Sequence, residues 1–168
     1  MVVDSIRRSA GPGFLIEYRF SGDEFYPGGY TIDEGIAFAK LLDGRVDLIH
    51  VSAGTQQDDY SAVLMHPGIF QEHGENSHLA AAIKPCVRTP VVTVGAFSEP
   101  EKMEAFLAEG HADVIAMGRA LVADPFLPKK VLQDRPEAIT PCIRCGECHG
   151  HMMAHRVIRC TVNPLAGR

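Results

Sequence analysis

Cys142, Cys145, Cys148 and Cys160 lie in one stretch, PCIRCGECHGHMMAHRVIRC, at the spacing C-x2-C-x2-C-x11-C. Two-residue gaps let a turn of backbone aim three thiolates at one centre. A zinc site usually pairs two C-x2-C knuckles set apart, whereas three cysteines at successive two-residue gaps, with a remote fourth and proline nearby, is the pattern of a cubane 4Fe-4S cluster. Zinc, disulfides and idle thiols are the competing readings, and disulfides run against a chain with no signal peptide, whose expected compartment is reducing.

A second group is suggested by where glycine falls. VVTVGA and IAMGRA each place glycine where an apolar run stops, at Gly95-Ala96 and Gly118-Arg119. Gly118 precedes a short helix whose free N–H groups could hold a phosphate. The plain reading is a turn residue at each. Arg19, closing the run FLIEYRF, could set a guanidinium against a polar ligand ring, or could pair with Glu17 or Asp23. The histidines are weaker candidates. His50 reads as core or a strand-end hydrogen bond, His66, His73 and His78 as solvated loop residues, and His149, His151 and His155 as neighbours of the cysteine ligands rather than ligands. Asp58 and Asp59 read as a solvated loop, and Cys86 as a small buried hydrophobe.

The elements that must position these groups alternate. Helical spacing covers 1–9, with Val2, Val3 and Ile6 on one face, and a strand follows at 14–20. Thr31-Ile32-Asp33-Glu34 reads as a capping box opening a helix that runs to Gly44. Strands follow at 46–51, 90–95 and 113–117, with helices from Asn76-Ser77 to Ile83 and from Pro100 to Gly110. The loop 52–75 is long enough to expect a function or an extra element. Strands separated by helices, without hairpin signals, predict α/β architecture with parallel βα units. Four units fit either a small doubly wound domain or half of an eight-unit barrel, although no G-x-G-x-x-G dinucleotide loop occurs. At 168 residues, 46% hydrophobic and 22% charged, the chain reads as an ordinary globular protein. The formal net charge of -5 argues against nucleic acid or an anionic membrane surface. With no membrane-length apolar run and no signal peptide, the expected compartment is the cytoplasm.

The segments IEYRFSGDEF, LIHVSAG, PVVTVGAF, ADVIAMGRALVADP and CIRCGEC resemble the second half of the flavin barrel of the old yellow enzyme family. The likeness is to its iron-sulfur branch, which includes 2,4-dienoyl-CoA reductase, 2-enoate reductase, bile-acid-modifying NADH:flavin oxidoreductases and trimethylamine dehydrogenase. The resemblance implies strands five to eight of a TIM (β/α)8 barrel, with 1–140 a partial FMN-binding barrel and 141–168 an iron-sulfur segment. It assigns Arg19 to the flavin N1/O2 edge, Gly95, Ala96, Gly118 and Arg119 to the FMN phosphate, and the four cysteines to a 4Fe-4S cluster. Reduction of an activated alkene with electrons from NAD(P)H is the implied activity. An amine dehydrogenase is an alternative, since the gap before Cys148 resembles the trimethylamine dehydrogenase spacing, and a non-catalytic electron-transfer module is another.

The chain departs from the family pattern in three places. The usual tyrosine proton donor belongs to a strand expected upstream of Met1. Gln56 or Gln57 stands where dienoyl-CoA reductases carry a histidine. FAD and NAD(P)H domains are expected only in a larger parent chain. A fragment of this kind, exposing strand edges and an apolar interior, is expected to self-associate.

Overall fold

The computed structural model describes residues 2–168. The chain opens with α1 (Val2–Ala10), then β1 (Glu17–Ser21), α2 (Ile32–Leu42), β2 (Leu48–Ser52), α3 (Asp59–Met65) and α4 (Ser77–Ile83). It continues through β3 (Val91–Thr93), α5 (Pro100–Ala108), β4 (Val114–Ile115), α6 (Arg119–Ala123), α7 (Leu127–Leu132) and α8 (Glu147–Met153). Short 3-10 turns cover Lys84–Cys86 and Pro136–Ala138.

Among the described residues the sheet has four strands in the order β1-β2-β3-β4, and every pairing is parallel. Consecutive order with right-handed crossovers places every connecting helix on one face, as in a (β/α) barrel, whereas a doubly wound sheet reverses its strand order and carries helices on both faces. Packing agrees with the barrel arc. Tyr18 and Phe20 of β1, Ile49 and Val51 of β2 and Val91 of β3 share a core with Ala39 and Leu42 of α2 and Leu79, Ala80 and Ile83 of α4. The register sets Arg19 beside His50 and His50 beside Val92. By period-two alternation these residues share the opposite face.

Local chemistry explains the boundaries. The capping box forms, with Thr31 N–H donating to Glu34 Oε2 at 2.9 Å, and Gly44 follows the helix at φ 71°. Aspartates tie down the starts of the strands. Asp47 accepts from Ile16 N at 2.7 Å, and Asp113 accepts from Val91 N at 2.7 Å. Asp43 accepts from Thr89 N at 2.8 Å, and that bond is the chief reason its carboxyl is pushed down to about 2. The N-terminal end of the sheet is thus occupied by structural bonds.

Some expectations need correction. Phe14 and Leu15 are exposed, and the first strand starts only at Glu17. Val2 faces away from the core while Val3 and Ile6 pack on it. Asp58 is not a bare loop residue. It caps α3, its side chain accepting from Ser61 N at 2.9 Å, so the long loop does carry an extra helix. Cys86 is only half-buried. No helix among the described residues is long and apolar enough to cross a membrane.

Candidate functional site

The C-terminal ends of the four strands open into a cleft of about 390 Å³, a normal size for a small-molecule site. Arg19 of β1, Gly95 and Ala96 after β3, and Gly118 and Arg119 after β4 all line it, and so do Cys142 and Cys148. Residues up to 139 positions apart in sequence therefore share one cavity, from Arg19 to Ile158. Its apolar walls come from Met65, Pro67, Phe97, Met117, Met152 and Ile158.

Arg19 takes neither of the two partners its sequence offers. Glu17 receives the His50 Nδ1 contact at 2.7 Å, and Asp23 accepts from Phe25 N at 2.7 Å and Ile32 N at 3.2 Å. Arg19 and Arg119 make no ion pair among the described residues, so the cleft carries two uncompensated guanidinium charges. Both charges act on His66. Burial first, then His149, Arg119 and Arg19 push its imidazole down to about 4, which keeps it neutral at pH 7. Burial also lowers His50, with the Arg19 charge second and Glu17 opposing.

The two strand-end glycines differ in cause. A Cβ on Gly95 would lie 3.2 Å from Asn76 N and 3.3 Å from the Gly74 carbonyl carbon, so the loop before α4 presses on it. A Cβ on Gly118 would meet nothing within 4 Å, and its φ of -109° is open to other residues. Nothing among the described residues calls for glycine there. The missing side chain leaves open space at the mouth of the cleft, which suits close approach of a bound anion. Ala96 holds a φ of 58°, uncommon without glycine.

All four cysteines, with Arg119, Arg144 and Thr161, line a small second pocket next to the cleft. Left-handed backbone at Arg144 (φ 54°) and Gly146 (φ 79°) turns the chain between the thiols. Cys145 Sγ lies 3.2 Å from Thr161 Oγ1, a contact that leads the lowering of its thiol, whereas burial raises Cys148. Among the described residues no three His, Cys, Asp or Glu side chains close on a single metal ion. One zinc would hold its donors at about 2.0–2.3 Å from one point, while a cubane spreads four thiolates over separate irons. Four cysteines around one pocket make a donor set of the kind such a cluster takes. Asn163 Nδ2 ties the segment back to Val122 O of α6 at 2.9 Å.

Several residues have a larger part than their sequence context indicates. His66 is not solvated, its ring lying 4.2 Å from that of His149 within the cleft lining. His73 is bonded to Ala96 O and Ser98, whereas His78 stays exposed. Among the described residues, His149 Nε2 and His151 Nδ1 are buried without a partner. Arg144 lines both cavities and donates to Gln71 O; its position between Cys142 and Cys145 is the available signal. Gln56 and Gln57 are exposed, and Gln57 accepts from Tyr26 Oη at 3.0 Å. The loop presents Met65, His66 and Pro67 to the cleft instead.

The sequence profile described as the NADH:flavin oxidoreductase / NADH oxidase family matches residues 1–138. NADH oxidase from Thermoanaerobacter brockii is 43% identical over 170 residues, 99% of this chain and 26% of that protein. The fold overlays a 2-naphthoyl-CoA reductase with a TM-score of 0.90 at 29% identity, covering 99% of this chain and 25% of that one. It overlays histamine dehydrogenase from Rhizobium sp. 4-9 with a TM-score of 0.88 at 33% identity, covering 98% of this chain and 23% of that one. These structural neighbours are TIM-barrel flavoenzymes, and the chain spans about a quarter of the length of each relative.

Proposed function

The chain belongs to the NADH:flavin oxidoreductase / NADH oxidase family, and from that premise we propose that it forms the phosphate side of an FMN site together with a 4Fe-4S segment. The reaction served is the reduction of an activated carbon–carbon double bond with electrons from NAD(P)H. The observation that carries this reading is the shared cleft, in which Arg19, Gly95, Ala96, Gly118 and Arg119 meet Cys142 and Cys148.

The residues fit both groups. Gly118 leaves room for a phosphate, and unpaired Arg119 brings its charge. Arg19 would sit at the pyrimidine edge of the flavin, where a guanidinium stabilises negative charge on the ring. Bound FMN would supply hydride at N5, and the cluster would supply single electrons. Met65, Pro67, Phe97 and Met117 keep water from that face of the cleft, which strengthens each charge interaction inside. Arg119 lines both the cleft and the cysteine pocket, so one cation serves both anionic groups.

Two measurements test the reading. Anaerobic reconstitution of the 168-residue chain is expected to give four irons and four sulfides with broad absorption near about 400 nm, and Cys142→Ser is expected to lose it. FMN is expected to bind with quenched flavin fluorescence. Stoichiometric zinc without labile sulfide, or no FMN binding, would refute the corresponding half.

A second reading, oxidation of an amine, is favoured by the 33% identity and TM-score of 0.88 to histamine dehydrogenase. Single-turnover spectra separate the two. An enoate such as cinnamate would reoxidise the reduced FMN complex, whereas an amine would bleach the oxidised one.

A further inference from the structure

The strand-end loop that carries Ala96 is gripped from behind by a residue outside the cleft lining. His73 Nδ1 lies 3.1 Å from the Ala96 carbonyl oxygen, and His73 Nε2 lies 3.1 Å from Glu99 Oε1. A carbonyl and a carboxylate are both acceptors, so a ring that bonds both oxygens donates from each nitrogen. The adjacent Gly74 N–H donates to Gly95 O at 2.6 Å, so two consecutive residues of the loop before α4 bond the Gly95-Ala96 turn.

We infer that His73 is a positioning residue that carries a proton on both ring nitrogens and clamps the Ala96 carbonyl to the Glu99 carboxylate, fixing the left-handed Ala96 turn for a bound phosphate. The phosphate part rests on the FMN reading above; the protonation part does not. One alternative arrangement exists in the same geometry. Ser98 Oγ lies 3.2 Å from Nδ1 and could donate to a bare nitrogen, leaving the Ala96 oxygen facing a lone pair. The charges around the ring favour the imidazolium. Glu99 faces it from the start of α5, Glu72 and Glu75 flank it on its own loop, and Lys102 pairs with the other oxygen of Glu99 at 2.9 Å. Arg144, from the cysteine segment, acts on Glu99 as well.

The test uses the full chain and two variants, His73→Gln and Glu99→Gln. At pH 7.0, nitrogen NMR of the His73 ring is expected to show both nitrogens protonated, and Glu99→Gln is expected to lose that signature. FMN affinity at pH 7.0, read by fluorescence quenching, is expected to be about tenfold tighter in the wild type than in His73→Gln, one hydrogen bond's worth. A bare Nδ1 at pH 7.0, or equal FMN affinity in the two proteins, overturns the inference. Failure of every protein to bind FMN would instead sink the flavin reading, and the NMR result would still decide the ring's protonation.

Discussion

Replacing each strand-end glycine by alanine separates a glycine needed by the fold from one needed by a ligand. At Gly118 an added methyl meets nothing within 4 Å and φ is negative, so stability is expected to change by no more than about 0.5 kcal/mol. A domain of this size shifts about 2–4 °C in Tm per kcal/mol, so Gly118→Ala should melt within about 2 °C of the wild type. The methyl projects into open space at the mouth of the cleft. If a phosphate approaches there, displacing it from one backbone hydrogen bond weakens FMN binding about tenfold. At Gly95 the methyl would press on Asn76 N at 3.2 Å and the Gly74 carbonyl carbon at 3.3 Å. Backbone atoms yield less readily than a side-chain tip, so overpacking there is expected to cost about 1–3 kcal/mol. Scanning fluorimetry gives Tm and flavin quenching gives affinity, on the same samples. A Gly118→Ala protein that binds FMN like the wild type would refute the phosphate assignment. A destabilised Gly118→Ala would refute the claim that no protein contact requires glycine there.

Three other outcomes follow from the same packing. A Cβ on Gly35 would drive into the Gly22 carbonyl oxygen, so Gly35→Ala should separate α2 from the turn after β1 and lower Tm more than Gly118→Ala does. Asp58→Ala removes the cap of α3 and is expected to lower stability by about 1 kcal/mol, with FMN affinity falling too, since α3 delivers Met65 to the cleft; unchanged melting would show the cap to be unimportant. His66 sits below its ordinary 6.5, at about 4, so the unfolded chain takes up the proton first as pH falls. The linked stability is whole above about pH 6.5 and declines from there toward about 4, with His50 acting in the same direction. Melting curves between pH 7 and 5 should show this slope, and His66→Gln should flatten it; equal slopes in the two proteins would remove His66 as its source.

Local spacing alone made several features legible. The Thr31–Glu34 capping box and the four alternating strand segments each depend on residues within a few positions of one another, the cysteine series lies in one short stretch, and each is present. The resemblance to iron-sulfur flavin barrels, carried by short motifs in order, agrees with a profile match over residues 1–138. Choosing an arc of a barrel over a doubly wound sheet needed the observed strand order, because both topologies share the same βα rhythm.

Environment was decided by contacts distant in sequence. The tilted rings of His66 and His149 meet with centroids 4.2 Å apart, His73 reaches Ala96 from 23 positions away, and Arg144 reaches Gln71 O across 73. Composition gives His66 and His73 the look of a solvated loop, and only the fold shows what surrounds them. Gly95 and Gly118 make the same point most directly. Each ends an apolar run, and sequence alone treats them alike. Tertiary packing places a backbone against Gly95 and open space against Gly118, because the loop before α4 folds over the third strand and no described residue covers the fourth at that point.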